Sequence, residues 1–390
     1  MTQATAEAVA DPLNGYLPQD SFFFRTPRRT LLTRGAFRTV PTCDSHDLGT
    51  TLPRRVQRTL AEAEAAGHPR PLVVGAIPFD ERTPARLTVP GGVQWAGPSR
   101  AGSDPDGPPV SFGSIRHVPE PADYRRGVAV ALEQLAAGEL TKVVLARSLQ
   151  LQDVRHADAV TLLRRLMRAD PEAYVFAADL LGGRVLLGAS PELLVQRSGG
   201  KVAAHPLAGS APRQADPVAD RLAGQALLAS AKDQREHAVV VEAVAASLRQ
   251  HCRDLSVPER PSLVQTGAMW HLGTKITGRL RDPEVSSLDL AITLHPTPAV
   301  CGLPQPLARQ AIAEIERFDR GFYSGAVGWC DASGDGEWAI TLRCAEVTAR
   351  EIRLFAGAGI VTGSDPEGEL AETSAKFRTF LRVLGIDQDL

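Results

Sequence analysis

Apolar residues in much of this chain form short runs or alternate with polar residues, which is the pattern of β-strands. The clearest runs lie at 141–152, 173–180, 184–190 and 193–209. Near the end of the chain, the segments YSGAVGWCD, EWAITLRCAEV and IRLFAGAGIV form a meander whose members are separated by turn sequences. Because hairpin connections outnumber strand–helix–strand units, the pattern predicts antiparallel sheets with helices packed outside them.

Helical segments are predicted around these strands. The predicted helices are 53–66, 121–137, 216–252 and 366–384, and a further buried strand is predicted at 71–79. A stretch rich in proline and glycine spans 80–121 and includes an exposed loop at 99–109. This stretch is the best boundary between a small N-terminal portion, 1–120, and the remainder, 121–390. The fold class expected from the pattern is α/β in the α+β sense.

Composition and charge exclude several classes of protein. With 390 residues, of which 43% are hydrophobic, the chain can bury a large core. Its formal net charge of −2, without a basic stripe, argues against a nucleic-acid partner. No apolar stretch is long enough to span a membrane, and the first residues lack the basic and apolar regions of a secretory signal. We expect a cytoplasmic protein without a membrane partner.

Lysine is scarce in this chain. Of its 43 basic residues, the lysines are Lys142, Lys201, Lys232, Lys275 and Lys376. Arginine stays protonated in proteins, whereas lysine can lose its proton and act as a base. Lys142 begins a strand among apolar neighbours that disfavour the ammonium form, which suits it to deprotonate water. The alternative is a lysine whose stem lies along the strand while its ammonium reaches solvent.

Five carboxylates stand in contexts that suit chemistry. Glu192, in GASPELL, lies between apolar strands, where a carboxyl group has a raised pKa and can donate a proton. Asp233 and Glu236, and likewise Glu369 and Glu372, are spaced three apart and therefore share a helix face. Two converging acidic pairs suit Mg²⁺, which prefers carboxylate oxygens and keeps waters or a substrate anion. The alternatives are a turn carboxylate for Glu192 and a solvated face for each pair.

Two cations have contexts with two interpretations each. Arg343 alternates with apolar neighbours in EWAITLRCAEV and therefore needs an anionic partner, which is either a protein carboxylate or a substrate carboxylate. Lys376 lies four residues beyond Glu372, the spacing of a salt bridge within one helix. The alternative for Lys376 is a functional role beside the two acidic pairs, since the scarce lysines are the first candidates for chemistry.

Small residues and one histidine complete the set of candidates. Gly357 and the Gly209–Ser210 pair lie at strand ends where a backbone approaches another group closely. His271, in WHLGTK, is either a substrate contact or a satisfied core histidine. The AGAG segment that contains Gly357 does not open a helix, which argues against dinucleotide binding.

Taken together, segments between 142 and 378 resemble the chorismate-utilising enzymes and, among them, the isochorismate synthases. These segments are KVVLARSL, GASPELL, HPLAGSAPR, KDQREH, WHLGTKITG, LHPTPAVCG, FDRGFYSGAVGWCD, GEWAITLRCAEV, RLFAGAGIV and GELAETSAKF. The resemblance implies a single domain of two antiparallel β-sheets flanked by helices, with the active site between the sheets in 121–390. It also implies Mg²⁺ as the cofactor and chorismate as the substrate. Water adds at C2 of the ring while the C4 hydroxyl leaves, which gives isochorismate.

The resemblance assigns a role to each candidate residue. Lys142 resembles the general base that activates water, and Glu192 resembles the general acid at the departing hydroxyl. The residues that resemble metal ligands are Glu236 and Glu372, with Asp233 and Glu369 as supporting acids. The residues that resemble substrate contacts are Gly209, Ser210, His271, Ala299, Val300, Tyr323, Arg343, Gly357 and Lys376.

The nucleophile and the residues of the pocket distinguish this reaction from related activities in the family. Ammonia-using relatives such as anthranilate synthase lack a lysine at the Lys142 position and depend on an amidotransferase, so we expect water as the nucleophile and no amidotransferase subunit. Salicylate synthases also form isochorismate and then eliminate pyruvate. Ala299 and Val300 resemble the isochorismate synthases, whereas Tyr323 resembles the lyases. A regulatory protein that binds chorismate without turnover is a further alternative.

The pathway and the assembly state are expectations from the family alone. Isochorismate feeds 2,3-dihydroxybenzoate siderophores, salicylate and menaquinone, and the resemblance to siderophore-type enzymes favours the first of these. Members of the family are commonly monomeric, so a monomer is expected.

Overall fold

The structure is a computed structural model that describes residues 11–42, 48–80, 83–98 and 107–386. The strands in these residues are β1 (Phe23–Arg25), β2 (Thr30–Thr39), β3 (Leu72–Ile77), β4 (Arg86–Ala96), β5 (Ser114–Val118), β6 (Lys142–Gln152), β7 (Tyr174–Asp179), β8 (Val185–Ser190), β9 (Leu193–Ser198), β10 (Lys201–His205), β11 (Leu207–Pro212), β12 (Cys252–Ser256), β13 (Ser262–Gln265), β14 (Met269–Gly273), β15 (Ile276–Leu280), β16 (Gly302–Leu303), β17 (Ala326–Asp331), β18 (Gly336–Ile340), β19 (Cys344–Val347) and β20 (Glu351–Ile360). The helices are α1 (Leu48–Ala65), α2 (Pro121–Ala136), α3 (Ala159–Ala169), α4 (Pro217–Ala229), α5 (Ala231–His251), α6 (Ser287–Leu294), α7 (Gln305–Ile315) and α8 (Pro366–Leu384). Within these described ranges, none of the helices combines the length and the apolar character that crossing a bilayer requires.

All strand pairings in the described ranges are antiparallel, as the hairpin-rich sequence predicts. Seventeen strands form one continuous network, in which the pairings run β12–β15–β10–β9–β18–β17–β3–β4–β2–β1–β7–β8–β19–β20–β6–β5, and β16 also pairs with β6. The strands β11, β14 and β13 form a separate three-stranded sheet. Strands from the first 120 residues therefore lie inside the same network as later ones.

The long network curls so that its two halves pack against each other. Phe176 of β7 and Phe355 of β20 share one buried cluster with Val74 of β3 and Val327 of β17. Helices α3 and α8 cover the outer face of the half that contains β7 and β20. Helices α1, α5 and α6 cover the other half. The expected single domain of antiparallel sheets with helices outside is thus confirmed.

Capping side chains fix where α5 and α8, the helices that carry the two acidic pairs, begin. The predicted helix 216–252 divides into α4 and α5 at Ser230, whose hydroxyl accepts a hydrogen bond from the amide of Asp233 at 3.3 Å. Helix α8 begins after Asp365, whose carboxylate accepts from the amide of Gly368 at 2.8 Å, and it ends at Gly385 in the left-handed conformation. These caps place Asp233 and Glu369 in the first turns of their helices, with Glu236 and Glu372 one turn further along.

Other predicted boundaries are also adjusted by turns. The run predicted at 193–209 comprises β9, β10 and the start of β11, because Gly199 and Gly200 form a tight turn with positive φ angles of 53° and 77°. Helices α3, α6 and α7 were not predicted from the sequence. The predicted loop 99–109 falls largely outside the described residues.

Candidate active site

A narrow cavity of about 80 Å³ opens where β6, β20, α5 and α8 meet the small sheet. Its wall is formed by Val144, Pro191, Glu192, Leu207, Ala208, Gly209, Ser210, Glu236, His271, Ala299, Val300, Tyr323, Ser324, Leu342, Arg343, Phe355, Ala356, Gly357, Gly359, Glu372 and Lys376. Most of the candidate residues from the sequence therefore share one cavity. Lys142, Asp233 and Glu369 do not form part of its wall and lie behind it.

Lys142 is the first residue of β6 and is completely buried. Its Nζ donates a hydrogen bond to Oε1 of Glu236 at 2.9 Å, and the two side chains are 1% and 10% exposed. The alternative of a lysine that reaches solvent is therefore wrong. The apolar neighbours expected from the sequence are present, but the strand pattern did not reveal the carboxylate that pairs with the ammonium.

Glu192 follows the end of β8 and is 2% exposed. Its Oε1 accepts a hydrogen bond from the amide of Leu207 at 3.2 Å. Burial raises the pKa of Glu192 to about 8, against the opposing effects of the Leu207 amide and the charges of Lys142 and Lys376. Glu192 is therefore a protonated carboxyl group at neutral pH, which makes it a proton donor on the cavity wall.

Glu372 and Lys376 lie one helical turn apart on α8 and form a salt bridge of 2.6 Å. Oε1 of Glu372 also accepts from the hydroxyl of Ser210 at 3.0 Å, and Nζ of Lys376 also donates to the carbonyl of Gly357 at 2.8 Å. Burial opposes ionisation, but the Lys376 ammonium and the Ser210 hydroxyl hold the pKa of Glu372 below its ordinary value. Lys376 is thus both a salt-bridge partner within the helix and part of the cavity wall.

The supporting acids Asp233 and Glu369 lie close behind these groups. Oε1 of Glu369 accepts a hydrogen bond from Nζ of Lys232 at 3.1 Å. Burial and repulsion from Glu372 raise the pKa of Glu369. Burial and repulsion from Glu236 and Glu372 likewise raise the pKa of Asp233. The four acids therefore converge from two helices and repel one another.

The carboxylates at the cavity are candidate ligands for Mg²⁺. In the described part of the chain, no three aspartate, glutamate, histidine or cysteine side chains form a group that could hold a metal ion. Mg²⁺ commonly uses only one or two protein carboxylates together with waters and substrate oxygens. Glu236 and Glu372 both face the cavity. Their negative charges also raise the pKa of Asp233, so a cation added between these acids would be attracted by all of them. The donor set therefore fits Mg²⁺ held by two carboxylates and a bound anion.

Arg343 follows β18 and holds a left-handed backbone conformation with a φ of 47°. Its guanidinium donates to the hydroxyl of Thr379 at 3.1 Å and to Nε2 of His271 at 3.3 Å. Among the described residues, Arg343 has no carboxylate within salt-bridge distance, so the alternative of an internal ion pair is wrong. Burial lowers the pKa of Arg343, which indicates a cation that lacks a full counter-charge.

His271 is a neutral group with protein partners. A guanidinium only donates, so Nε2 of His271 accepts from Arg343 and the proton lies on Nδ1. Burial, followed by the charges of Arg343 and Lys376, lowers the pKa of His271 well below its ordinary value. His271 therefore orients Arg343 in this structure while it also lines the cavity.

Two glycines are required by close contacts. Gly209 has a φ of 76°, and a Cβ at this position would lie 3.0 Å from Cβ of Asp233. A Cβ at Gly359 would overlap Oε1 of Glu236 and lie 3.0 Å from Cε of Lys142. Gly359 was missed by the sequence analysis, although its place in the strand segment that contains Gly357 was a usable signal.

A buried ion pair supports the apolar side of the cavity and was also missed. Glu316 accepts from Nε of Arg320 at 2.8 Å and from the amide of Ala146 at 2.6 Å. Arg320 donates to the carbonyls of Val144 and Val300, both at 2.8 Å. These bonds tie β6 to the loop that contains Ala299 and Val300.

Tyr323 completes the apolar wall. Its ring stacks on Phe355 with 5.0 Å between the ring centroids. Burial, partly opposed by the Arg320 charge, raises the pKa of Tyr323, so its hydroxyl stays protonated. The ring therefore offers an apolar face and a neutral donor beside Gly357, where a Cβ would lie 2.9 Å from the hydroxyl.

Comparison with known proteins identifies the family. The family model described as chorismate binding enzyme matches residues 102–385. Isochorismate synthase DhbC of Bacillus subtilis (strain 168) is 51% identical over 396 residues, covering 99% of this chain and 98% of that protein. Isochorismate synthase EntC of Escherichia coli (strain K12) is 40% identical over 394 residues, covering 99% and 100%. A crystal structure assigned to the 2,3-dihydroxybenzoate-specific isochorismate synthase DhbC of Bacillus anthracis is similar with a TM-score of 0.90 and 47% identity, covering 96% of this chain and 99% of that one. The chain therefore belongs to the chorismate-binding enzymes.

Proposed function

We propose that this protein is a magnesium-dependent isochorismate synthase, which isomerises chorismate by adding water at C2 and releasing the C4 hydroxyl. The observation that supports this most directly is the pairing of opposite proton roles at one cavity. Lys142 is a buried lysine behind the wall whose ammonium pairs with Glu236, and Glu192 is a neutral carboxyl group on the wall. An addition–elimination reaction needs one base and one acid at separate ring positions.

The proton transfers balance with these two residues. Lys142, after its ammonium has released one proton to solvent, takes a proton from the attacking water as the new C2–O bond forms. The double bonds of the ring shift, and the C4–O bond breaks as Glu192 protonates the departing hydroxyl, which leaves as water. One water enters, one leaves, and the product is an isomer of the substrate. Proton exchange with solvent restores both residues.

Charge complementarity supports chorismate, a dianion, as the substrate. Arg343 faces the cavity without a carboxylate partner among the described residues, and Lys376 offers a second cation on the wall. A guanidinium binds a carboxylate through two parallel hydrogen bonds, so Arg343 suits one substrate carboxylate. When bound by Glu236 and Glu372, Mg²⁺ would supply positive charge for the other. Ser210 orients Glu372 through its hydroxyl.

The relatives support the same reaction and a siderophore role. DhbC of Bacillus subtilis and EntC of Escherichia coli are named isochorismate synthases, and DhbC of Bacillus anthracis is assigned as specific for 2,3-dihydroxybenzoate. We therefore propose that the isochorismate feeds 2,3-dihydroxybenzoate and siderophore synthesis. We also propose that the chain acts as a monomer without an amidotransferase subunit.

The test is to incubate the purified protein with chorismate and MgCl₂ and to separate the products by chromatography. Isochorismate formed with added Mg²⁺ and lost with EDTA is the expected result. Salicylate and pyruvate as the main products would identify a salicylate synthase instead. Tight chorismate binding without any product would identify a binding protein, and anthranilate formed with ammonia would contradict the choice of water as the nucleophile.

A further inference from the structure

Lys232 lies among the acids of the site, although no role has been assigned to it. Its Nζ donates a hydrogen bond to Oε1 of Glu369 at 3.1 Å. Burial alone would lower the pKa of Lys232, but the negative charges of Glu369, Glu236 and Asp233 outweigh burial and raise this pKa. Lys232 stands in the first turn of α5, where a cation is unfavourable to the helix dipole. Its position is therefore explained by the acids and not by the helix.

Lys232 differs from the other lysines of the site in its access to solvent. Its side chain is 35% exposed, whereas that of Lys142 is 1% exposed and that of Lys376 is 16% exposed. Of these three lysines, Lys232 is therefore the one whose ammonium can move from the acids into solvent most easily. A lysine suits this role because its compact charge sits on a flexible stem.

In the resting site, where Lys142 is paired with Glu236 as an ammonium, the charges of the carboxylates and cations at the cavity balance without any ligand. The carboxylates are Asp233, Glu236, Glu369 and Glu372, and the cations are Lys142, Lys232, Lys376 and Arg343. His271 and Glu192 are neutral, because the pKa of the first is lowered and that of the second is raised. A divalent cation alone would therefore leave two uncompensated positive charges in a buried site. A divalent cation together with a dianion would restore neutrality.

We propose that Lys232 is a tethered counter-cation that weakens Mg²⁺ binding in the absence of the anionic substrate and so makes metal binding depend on that substrate. This inference rests on the proposed function, since it takes Glu236 and Glu372 as the metal ligands. The Lys232 ammonium repels Mg²⁺ directly and also neutralises Glu369, which would otherwise attract the ion. Both effects act against the metal until a dianion enters.

The test is calorimetric titration of MgCl₂ into the full-length, chorismate-free protein at low salt. We expect Lys232→Met to bind Mg²⁺ roughly tenfold or more tightly than the wild type, because one nearby positive charge is removed. Lys232→Arg keeps the charge and should bind like the wild type. The control Lys201→Met removes an equal charge from the exposed start of β10 and should also bind like the wild type.

Each result decides the proposal. Equal or weaker Mg²⁺ binding by Lys232→Met, or no measurable binding by either protein, overturns it. If Lys232→Met is too unstable to purify, Lys232→Gln replaces it, and recovery of its melting temperature by MgCl₂ is the second measurement. Failure of the wild type to make isochorismate would instead contradict the proposed function, so the two failures are distinguishable.

Discussion

The ammonium of Lys142 lies 2.9 Å from Oε1 of Glu236, a residue 94 positions further along the chain. The contact joins the first residue of β6 to the second turn of α5, and Gly359 of β20 leaves the space in which the two side chains meet. A buried charge that loses its partner is strongly destabilising, so neither residue can be neutralised alone without consequence for the other. Variants of Lys142 must therefore separate charge from basicity.

Lys142→Arg makes that separation. The guanidinium keeps a positive charge for Glu236 but does not accept a proton, so isomerisation should fall by about 100-fold or more. The measurement is the rate of chorismate consumption with saturating Mg²⁺, together with chorismate affinity from tryptophan fluorescence. Affinity should change much less than the rate. A near-normal rate for Lys142→Arg would show that the base is another residue.

The raised pKa of Glu192 predicts a pH limit on catalysis. The acid must be protonated, so kcat/KM should fall as pH rises through about 8. Glu192→Gln keeps the neutral shape and the Leu207 contact but donates no such proton, and it should lose most activity at all pH values. A rate that stays constant above this pH would contradict the assignment of Glu192 as the acid.

The same group predicts a change in stability. The pKa of Glu192 is higher in the folded protein than its ordinary 4.5, so the folded state holds a proton that unfolding releases above that pH. Its contribution is fully present below the ordinary value and is lost as pH rises through about 8. Glu192→Gln removes this dependence. The melting temperature of the variant, relative to the wild type, should therefore increase with pH across this window.

Glu372→Gln should raise the Mg²⁺ concentration needed for activity. The substitution removes a carboxylate that faces the cavity while retaining an oxygen for Ser210 and Lys376. We expect the concentration for half-maximal rate to rise about tenfold or more, because a neutral amide is a weaker ligand for a hard cation. Glu369→Gln is the matched comparison, since Glu369 lies behind the wall and should have the smaller effect. An unchanged Mg²⁺ requirement for Glu372→Gln would exclude it as a ligand.

Much of the fold could be predicted from local sequence pattern. Alternation and glycine turns predicted the strands near the observed positions, and the last predicted helix, 366–384, has the bounds of α8. The segment 287–294 was not recognised as α6 because its apolar residues occupy most positions, so no helical stripe stands out. The break at Ser230 was missed because both flanking segments are helical and no glycine or proline separates them.

The residues of the site could be predicted from the sequence, but the contacts between those residues could not. Spacing placed each acidic pair on one helix face, and scarcity drew attention to the lysines. Neither signal reveals that Lys142 pairs with Glu236, or that Lys232 pairs with Glu369, because those contacts join elements far apart in the chain. The Glu316–Arg320 pair has the ordinary spacing of a surface salt bridge, and only burial gives it significance.

Arg343→Lys should weaken substrate use without loss of folding. The lysine keeps the charge, but it cannot contact Thr379, His271 and a substrate carboxylate with the fixed fork of a guanidinium. We expect kcat/KM to fall about 10- to 100-fold, mainly through KM, as for the loss of a charge-assisted hydrogen bond. Steady-state kinetics and thermal melting are the measurements. Thr379→Val, which removes only one orienting contact, should give a smaller change in the same direction.

Gly359→Ala tests the Lys142–Glu236 contact without altering either residue. The added methyl group would overlap Oε1 of Glu236 and crowd Cε of Lys142, so one of the two side chains must move. Because both are buried, we expect activity to fall about 100-fold. Gly97→Ala is the matched control, since Gly97 has open space around it, and it should behave like the wild type. If Gly359→Ala retained full activity and an unchanged Mg²⁺ requirement, the close packing around Lys142 and Glu236 would not be needed for catalysis, and the base would have to be sought elsewhere on the cavity wall.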